Sequence, residues 1–208
     1  DEPFLAININ KYMDTWADHG RPSIGRDSFL NVYAQSLTNV LSEIKVPVVF
    51  ICTQHHDVDI STDLMNRVSS KYKKILFSNK YYHHLEVKGV LGRASLQHAL
   101  RLHAMILATS VLTPTVGIAY QPKCAHYFES LGLSGELSSF ANFNATSLTE
   151  QILSAWSRRN SLRSHLESVI PGLKEKALWA GRLPVSLLRG EKLDSNSNDG
   201  QTLLANQR

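Results

Sequence analysis

The sequence is poor in the features that staple, anchor or metallate a chain. Its two cysteines, Cys52 and Cys124, are too few for a disulfide framework and lie in apolar surroundings, so buried, inert thiols in a reducing compartment are expected. No set of Cys, His and Glu stands at zinc spacing, and the adjacent His55 and His56 are poorly placed to chelate one ion. No metal site is expected. There is no nucleophile elbow, no Walker loop and no glycine-rich dinucleotide fingerprint. The basic residues are scattered apart from Lys71, Lys73, Lys74 and the Arg158-Arg159 pair and form no aromatic-interleaved strip of the single-strand-binding type, so no nucleic-acid partner is expected. The uncharged run 104–120 is divided by Pro114 and Gly117 and closed by Arg101 and Lys123, which argues against a membrane span. No internal repeat is visible. The chain opens at Asp1 without a basic-then-apolar leader and is expected to be a piece of something longer.

What is present suits one ordinary domain. A chain of 208 residues that is 43% apolar can bury a sizeable core, roughly 70% of the surface its unfolded form exposes. A formal charge of +4 and a pI near 9.1 suit an anionic ligand or an anionic surface.

Strand-like and helix-like patterns alternate. Residues 4–9 read as a first strand, followed by Asn8, Asn10 and Lys11 and then a long loop carrying Trp16, His19 and Arg21. Phe29, Leu30, Tyr33, Leu37, Val40, Leu41 and Ile44 keep a helical period. Residues 46–52 are continuously apolar, the pattern of a strand buried on both faces of a parallel sheet. Ser61 or Thr62 is expected to cap the next helix, through about Tyr72, and residues 74–78 form a third strand. A short helix follows within 81–92, with His83 and His84 solvated or capping at its start. Strands near 96–100 and 114–120 flank a helix through Ala104, Leu107, Ala108 and Val111, and a further helix starts at Pro122 and stops at Gly132. Two long helices are expected beyond Ser147, divided at Pro171-Gly172, with Trp156 and Trp179 as anchors. Residues 1–189 are assigned to the domain and 190–208 to a polar, disordered tail.

This alternation predicts an α/β fold, a Rossmann-like parallel sheet with helices on both faces, whose ligands gather beyond the carboxyl ends of the strands. Asn8, His55, His56, Asp57, Arg101, His103, Tyr120 and Lys123 all stand at such ends. An arginine where a strand gives way to a helix adds a planar cation to exposed N–H groups and the positive end of the helix dipole, which makes an anion seat. His103, two residues on, carries an imidazole, a side chain that can exchange a proton there. The alternative is a structural ion pair for Arg101 and a core hydrogen bond for His103. Lys123, in a helix's first turn, opposes the dipole, which favours a functional role.

The run Arg101-Leu102-His103-Ala104, then Pro114-Thr115-Val116-Gly117-Ile118-Ala119-Tyr120, Lys123 and Phe128-Glu129-Ser130-Leu131-Gly132-Leu133 closely resembles the polysaccharide pyruvyl transferases. Gly89-Val90-Leu91-Gly92-Arg93-Ala94 and the opening strand extend the resemblance over residues 4–133, with Ser95 and Ala99 departing from an aspartate and a glycine of the family pattern. The resemblance implies the carboxyl-terminal half of a GT-B-type two-domain architecture, which transfers a pyruvyl group from phosphoenolpyruvate to sugar hydroxyls as a ketal. It makes Arg101 and His103 catalytic, and places Leu102, Lys123, Tyr120, Asn10, His55 and His56 on substrate. It implies no cofactor. Its expected partners are phosphoenolpyruvate, a sugar or polysaccharide-precursor acceptor, and the amino-terminal half of the same protein, without which this piece binds donor but does not turn over. The expected location is cytoplasmic with peripheral membrane association, or the Golgi lumen in a eukaryote. Two alternatives stand beside it: a GT-B half that binds a nucleotide sugar, and a non-catalytic anion-binding module.

Overall fold

The computed structural model describes residues 2–11 and 24–189. The loop carrying Trp16, His19 and Arg21 and the tail 190–208 lie outside the described residues. The chain divides into two compact units, Asp1–Leu166 and Glu167–Arg208.

The first unit is built on a six-stranded parallel sheet: β1 (Leu5–Asn8), β2 (Val48–Cys52), β3 (Lys74–Ser78), β4 (Leu96–Ala99), β5 (Thr115–Ile118) and β6 (Leu137–Ser138), in the order β3-β2-β1-β4-β5-β6. Strands β1, β2, β4 and β5 are buried at every position, as strands between helical layers must be, whereas the edge strand β3 is not. Gly117 of β5 is required by this packing. A Cβ there would stand 2.0 Å from the carbonyl oxygen of Ala99 on β4.

The helices are α1 (Arg26–Ile44), α2 (Val58–Arg67), α3 (His84–Leu91), α4 (Leu102–Thr109), α5 (Pro122–Ser130), α6 (Ala145–Ser157) and α7 (Arg159–Leu188). One sheet face is covered by α1, which packs on α2 and α6 and buries the Phe29, Tyr33, Leu37, Val40 and Leu41 stripe predicted from its period. On the opposite face Ala6, Val49 and Ile51 pack with Val87 and Leu91 of α3 and Ala108 of α4. The Rossmann-like sheet with helices on both faces is therefore present.

Several boundaries differ from the sequence reading. A 3-10 turn, His55–Asp57, runs straight into α2, so Ser61 and Thr62 lie inside the helix, where the Thr62 hydroxyl donates back to the Val58 carbonyl at 2.8 Å. His83 does cap α3, through a capping box with Glu86. Strand β6 is two residues long and was not foreseen. The division between the last helices falls at Arg158, not at Pro171-Gly172. Near that point the Ser157 hydroxyl donates to the Ser154 carbonyl at 2.7 Å, in competition with the helix ladder, and the Arg158 guanidinium is drawn to Glu136 at 2.9 and 3.2 Å. Pro171 and Pro184 lie within α7.

Candidate functional site

The sheet order places β1 beside β4, and the chain leaves these two strands in opposite directions. A crevice opens at such a switch point, at the carboxyl ends of the strands. Asn8, the last residue of β1, holds that edge together. Its Nδ2 donates to the carbonyl of Ile51 on β2 at 2.7 Å, its Oδ1 accepts the Arg101 N–H at 3.1 Å, and its carbonyl accepts the Leu100 N–H at 3.0 Å. One buried side chain thus fixes the start of α4 relative to β1 and β2.

Arg101 is the N-cap of α4, in extended backbone with φ −74° and ψ 128°. Its guanidinium meets Asp57 edge-on: Nη2 donates to Oδ1 at 2.7 Å and Nε donates to Oδ2. Such a two-point contact fixes the plane of the guanidinium as well as its position. The Asp57 side chain is 0% exposed and that of Arg101 is 24% exposed, so the pair is closed on the Asp57 side and reaches solvent only through the arginine. Burial lowers the arginine's pKa, but the hydrogen bonds and charge of Asp57, with Tyr120 and Cys52 adding to them, more than offset this and hold it above its ordinary value. Among the described residues Nη1 makes no hydrogen bond. No side chain caps α4, so the orphan N–H groups of its first turn point to the same edge.

Cys52, at the end of β2, donates through Sγ to the Asp57 carbonyl at 3.7 Å. Burial pushes its thiol up to about 11; Ser61 pulls down through a hydrogen bond, Asp57 adds to the rise, and Arg101 opposes it. A thiol held protonated is no nucleophile, and Cys52 is the inert buried residue expected. Cys124 is also buried and free.

Each residue assigned from sequence falls on the carboxyl edge. Arg101, half-buried Leu102 and exposed His103 open α4; Asn10, 2% exposed, follows β1; half-buried Tyr120 and exposed Lys123 follow β5. His55 and His56 are exposed beyond β2, their rings 3.7 Å apart. Asp57, grouped with these histidines at a strand end in the sequence, is the partner that orients Arg101. The bridging role of Asn8 was missed as well; its signal was a polar residue at the end of an otherwise apolar strand. Beside the site, a cavity of about 350 Å³ opens at the ends of β5 and β6, between Ala119, Ala125, Glu129, Ser138 and Ser139.

The parallel sheet and the polar edge at its switch point define a class of fold, an α/β, Rossmann-like domain of the kind found in GT-B-type proteins. Similar folds occur in ADP-heptose LPS heptosyltransferase II of E. coli (TM-score 0.52, 8% identity, covering 76% of this chain and 48% of that one) and in Os79 of O. sativa in complex with UDP (TM-score 0.51, 15% identity, covering 81% and 35%). A putative UDP-N-acetylglucosamine 2-epimerase of Listeria monocytogenes is similar to the same degree (TM-score 0.52, 8% identity, covering 80% and 39%). At these identities the likeness is one of fold. The chain spans between 35% and 48% of the length of these three proteins. No family model matches the sequence, and no curated protein matches it. Among the described residues no helix is long and apolar enough to cross a membrane.

Proposed function

We propose that the chain is the donor-binding half of a GT-B-type transferase that passes a group from a phosphate-bearing donor to a sugar. The observation that carries this reading is the Arg101–Asp57 pair at the N-cap of α4, which aims a fixed guanidinium edge and uncapped helix N–H groups at the switch-point crevice. A nucleotide sugar is the donor that the fold likeness favours, since one similar protein is named for ADP-heptose and another was captured with UDP. Its diphosphate would lie against Arg101 and the start of α4, with the cavity at β5 and β6 beside it. The companion half would supply acceptor contacts.

A second reading is pyruvyl transfer from phosphoenolpyruvate, and a specific observation favours it: the motif-bearing residues 101–133 form α4, β5 and α5 around this same edge. In that chemistry Arg101 and the α4 N–H groups hold the donor's carboxylate or phosphate. Exposed His103 delivers a proton to the enol methylene, leaving an oxocarbenium-like carbon for two sugar hydroxyls to attack as phosphate departs. Lys123 offsets the charge of the phosphate. Differential scanning fluorimetry of the full chain with UDP-glucose, ADP-glucose and phosphoenolpyruvate separates the readings. A rise in melting temperature with one donor, greatly reduced in Arg101→Lys relative to that variant's own unliganded value, is the expected result. No rise with any donor, or a rise indifferent to Arg101→Lys, would refute the proposed seat.

A further inference from the structure

The opposite edge of the sheet carries a second concave polar site that the transferase reading does not use. A cavity of about 200 Å³ opens where the chain enters β4 and β5, walled by Arg93, Ser95, Pro114, Arg159, Asn160 and Arg163. Three arginines line it, and no carboxylate is among the described residues that do. Its backbone walls are fixed by the sheet: the Ser95 N–H donates to the Phe4 carbonyl at 3.0 Å, and the Pro114 carbonyl accepts the Gln97 N–H at 2.8 Å. Arg159 is held in place as well. Its guanidinium carbon lies 4.8 Å from the Trp156 ring centroid, and its Nη1 donates to the Trp156 carbonyl at 2.7 Å. Arg93 and Arg163 each have a further interaction within the chain, so a ligand would share their donors, of which each guanidinium has several.

We infer that this cavity, lined by Arg93, Arg159 and Arg163, binds a phosphate or diphosphate group. A multiply charged anion can accept hydrogen bonds from several planar guanidinium edges at once, and three such side chains share this one cavity. The volume lies below the roughly 300–1,000 Å³ of pockets for drug-sized molecules, which suits a compact anion or a headgroup rather than a whole nucleotide sugar. The site is separate from the Arg101 edge: β4 lies between them, its four residues spanning about 13 Å. The phosphate can come from a soluble metabolite or from the headgroup of an anionic lipid.

Isothermal titration of the full 208-residue chain with inorganic pyrophosphate, together with co-sedimentation on two vesicle types, tests the inference. The vesicles are phosphatidylcholine alone and phosphatidylcholine containing phosphatidylinositol phosphate. The expected result is saturable binding of pyrophosphate or of the anionic vesicles that persists in Arg101→Lys and weakens at least about tenfold in Arg93→Gln/Arg163→Gln. Both substituted residues are exposed, and the single Arg163→Gln exchange, expected to weaken binding in the same direction, carries the test should the double variant melt early. Binding of pyrophosphate without vesicle binding assigns a soluble ligand, and vesicle binding that requires the anionic lipid assigns a headgroup. Three results would each overturn the inference: neither probe binding, equal affinity in the arginine variants, or loss of binding in Arg101→Lys alone. Because donor protection is read in Arg101→Lys and this site in Arg93 and Arg163, the two proposals fail independently.

Discussion

Replacing Arg101 by alanine removes the partner of a carboxylate that has no contact with water. The Asp57 side chain is 0% exposed, and both of its oxygens accept from the guanidinium. Breaking a buried pair by deleting one member costs roughly 3–5 kcal/mol, because the remaining charge is stranded in a poorly polarisable setting. Here the arginine is 24% exposed, so water can enter the space it vacates and the cost falls to about 2–3 kcal/mol. For a chain of this size that lowers the melting temperature by about 5–10 °C. Asp57→Ala strands the partly exposed member instead and is expected to cost less. Arg101→Ala/Asp57→Ala should recover much of the loss, with a coupling of about 2 kcal/mol between the two sites. Urea denaturation of the four proteins, followed by far-ultraviolet circular dichroism at neutral pH, measures each value. A cost below about 0.5 kcal/mol for Arg101→Ala, or additive effects in the double variant, would refute the claim that Asp57 holds this arginine.

Gly117→Ala drives a Cβ into the Ala99 carbonyl oxygen, 2.0 Å away, and should cost at least the roughly 1–3 kcal/mol typical of overpacking, read as a lower urea midpoint. His98, fully buried in β4, has its pKa lowered to about 4 by burial, with Gln151 opposing, and its Nε2 has no hydrogen-bond partner among the described residues. The unfolded chain therefore binds more protons than the folded one between about pH 6.5 and 4. Stability present above pH 6.5 is lost as pH falls to 4, by about 3 kcal/mol from this group, and urea titrations of the parent and His98→Gln across that window should show a steeper dependence in the parent. Asn144 caps α6 by accepting the Ser147 N–H at 2.9 Å, so Asn144→Ala should cost about 1 kcal/mol in the same assay. Cys52 and Cys124, both buried, should react with an aromatic disulfide reagent only after denaturant is added, and a prompt native-state reaction of Cys52 would contradict its packing.

The parts of the fold legible in the sequence were those with a strong period or an uninterrupted apolar run. The α1 stripe, the buried strand read at 46–52 and found at 48–52, and the strand-to-helix change at Arg101 are local patterns that the structure places close to where they were read. Strand β6 carries too few residues to show a period, and it exists because β5 offers it an edge at Gly117 and Ile118. Pro171 looked like a helix boundary, yet the helix break is at Arg158, where a serine hydroxyl and an ion pair to Glu136 compete with the ladder. The site was legible as a set of residue types at strand ends. Its wiring was not, because Asp57 and Arg101 are 44 residues apart and meet only through the register that sets β1 between β2 and β4. A sequence can show that both residues lie beyond strand ends without showing that they face each other.

That pairing also bears on how the edge would handle the anion proposed for it. An arginine balanced by a buried carboxylate adds little net charge, so its attraction for a distant phosphate is weak compared with that of a lone cation. It gains direction instead: with Nε and Nη2 committed to Asp57, only the remaining donors face outward, in a plane set by the carboxylate. In the proposed function, net attraction would then come from groups whose charge is not cancelled, and the positive end of α4 and exposed Lys123 at the start of α5 lie on the same edge. Arg101→Lys keeps the charge but removes the rigid fork, whereas removal of Lys123 would take away charge and leave the fork intact. Orientation and attraction thus reside in different side chains, and a donor whose binding fails in Arg101→Lys is one recognised by the direction of its oxygens rather than by charge alone.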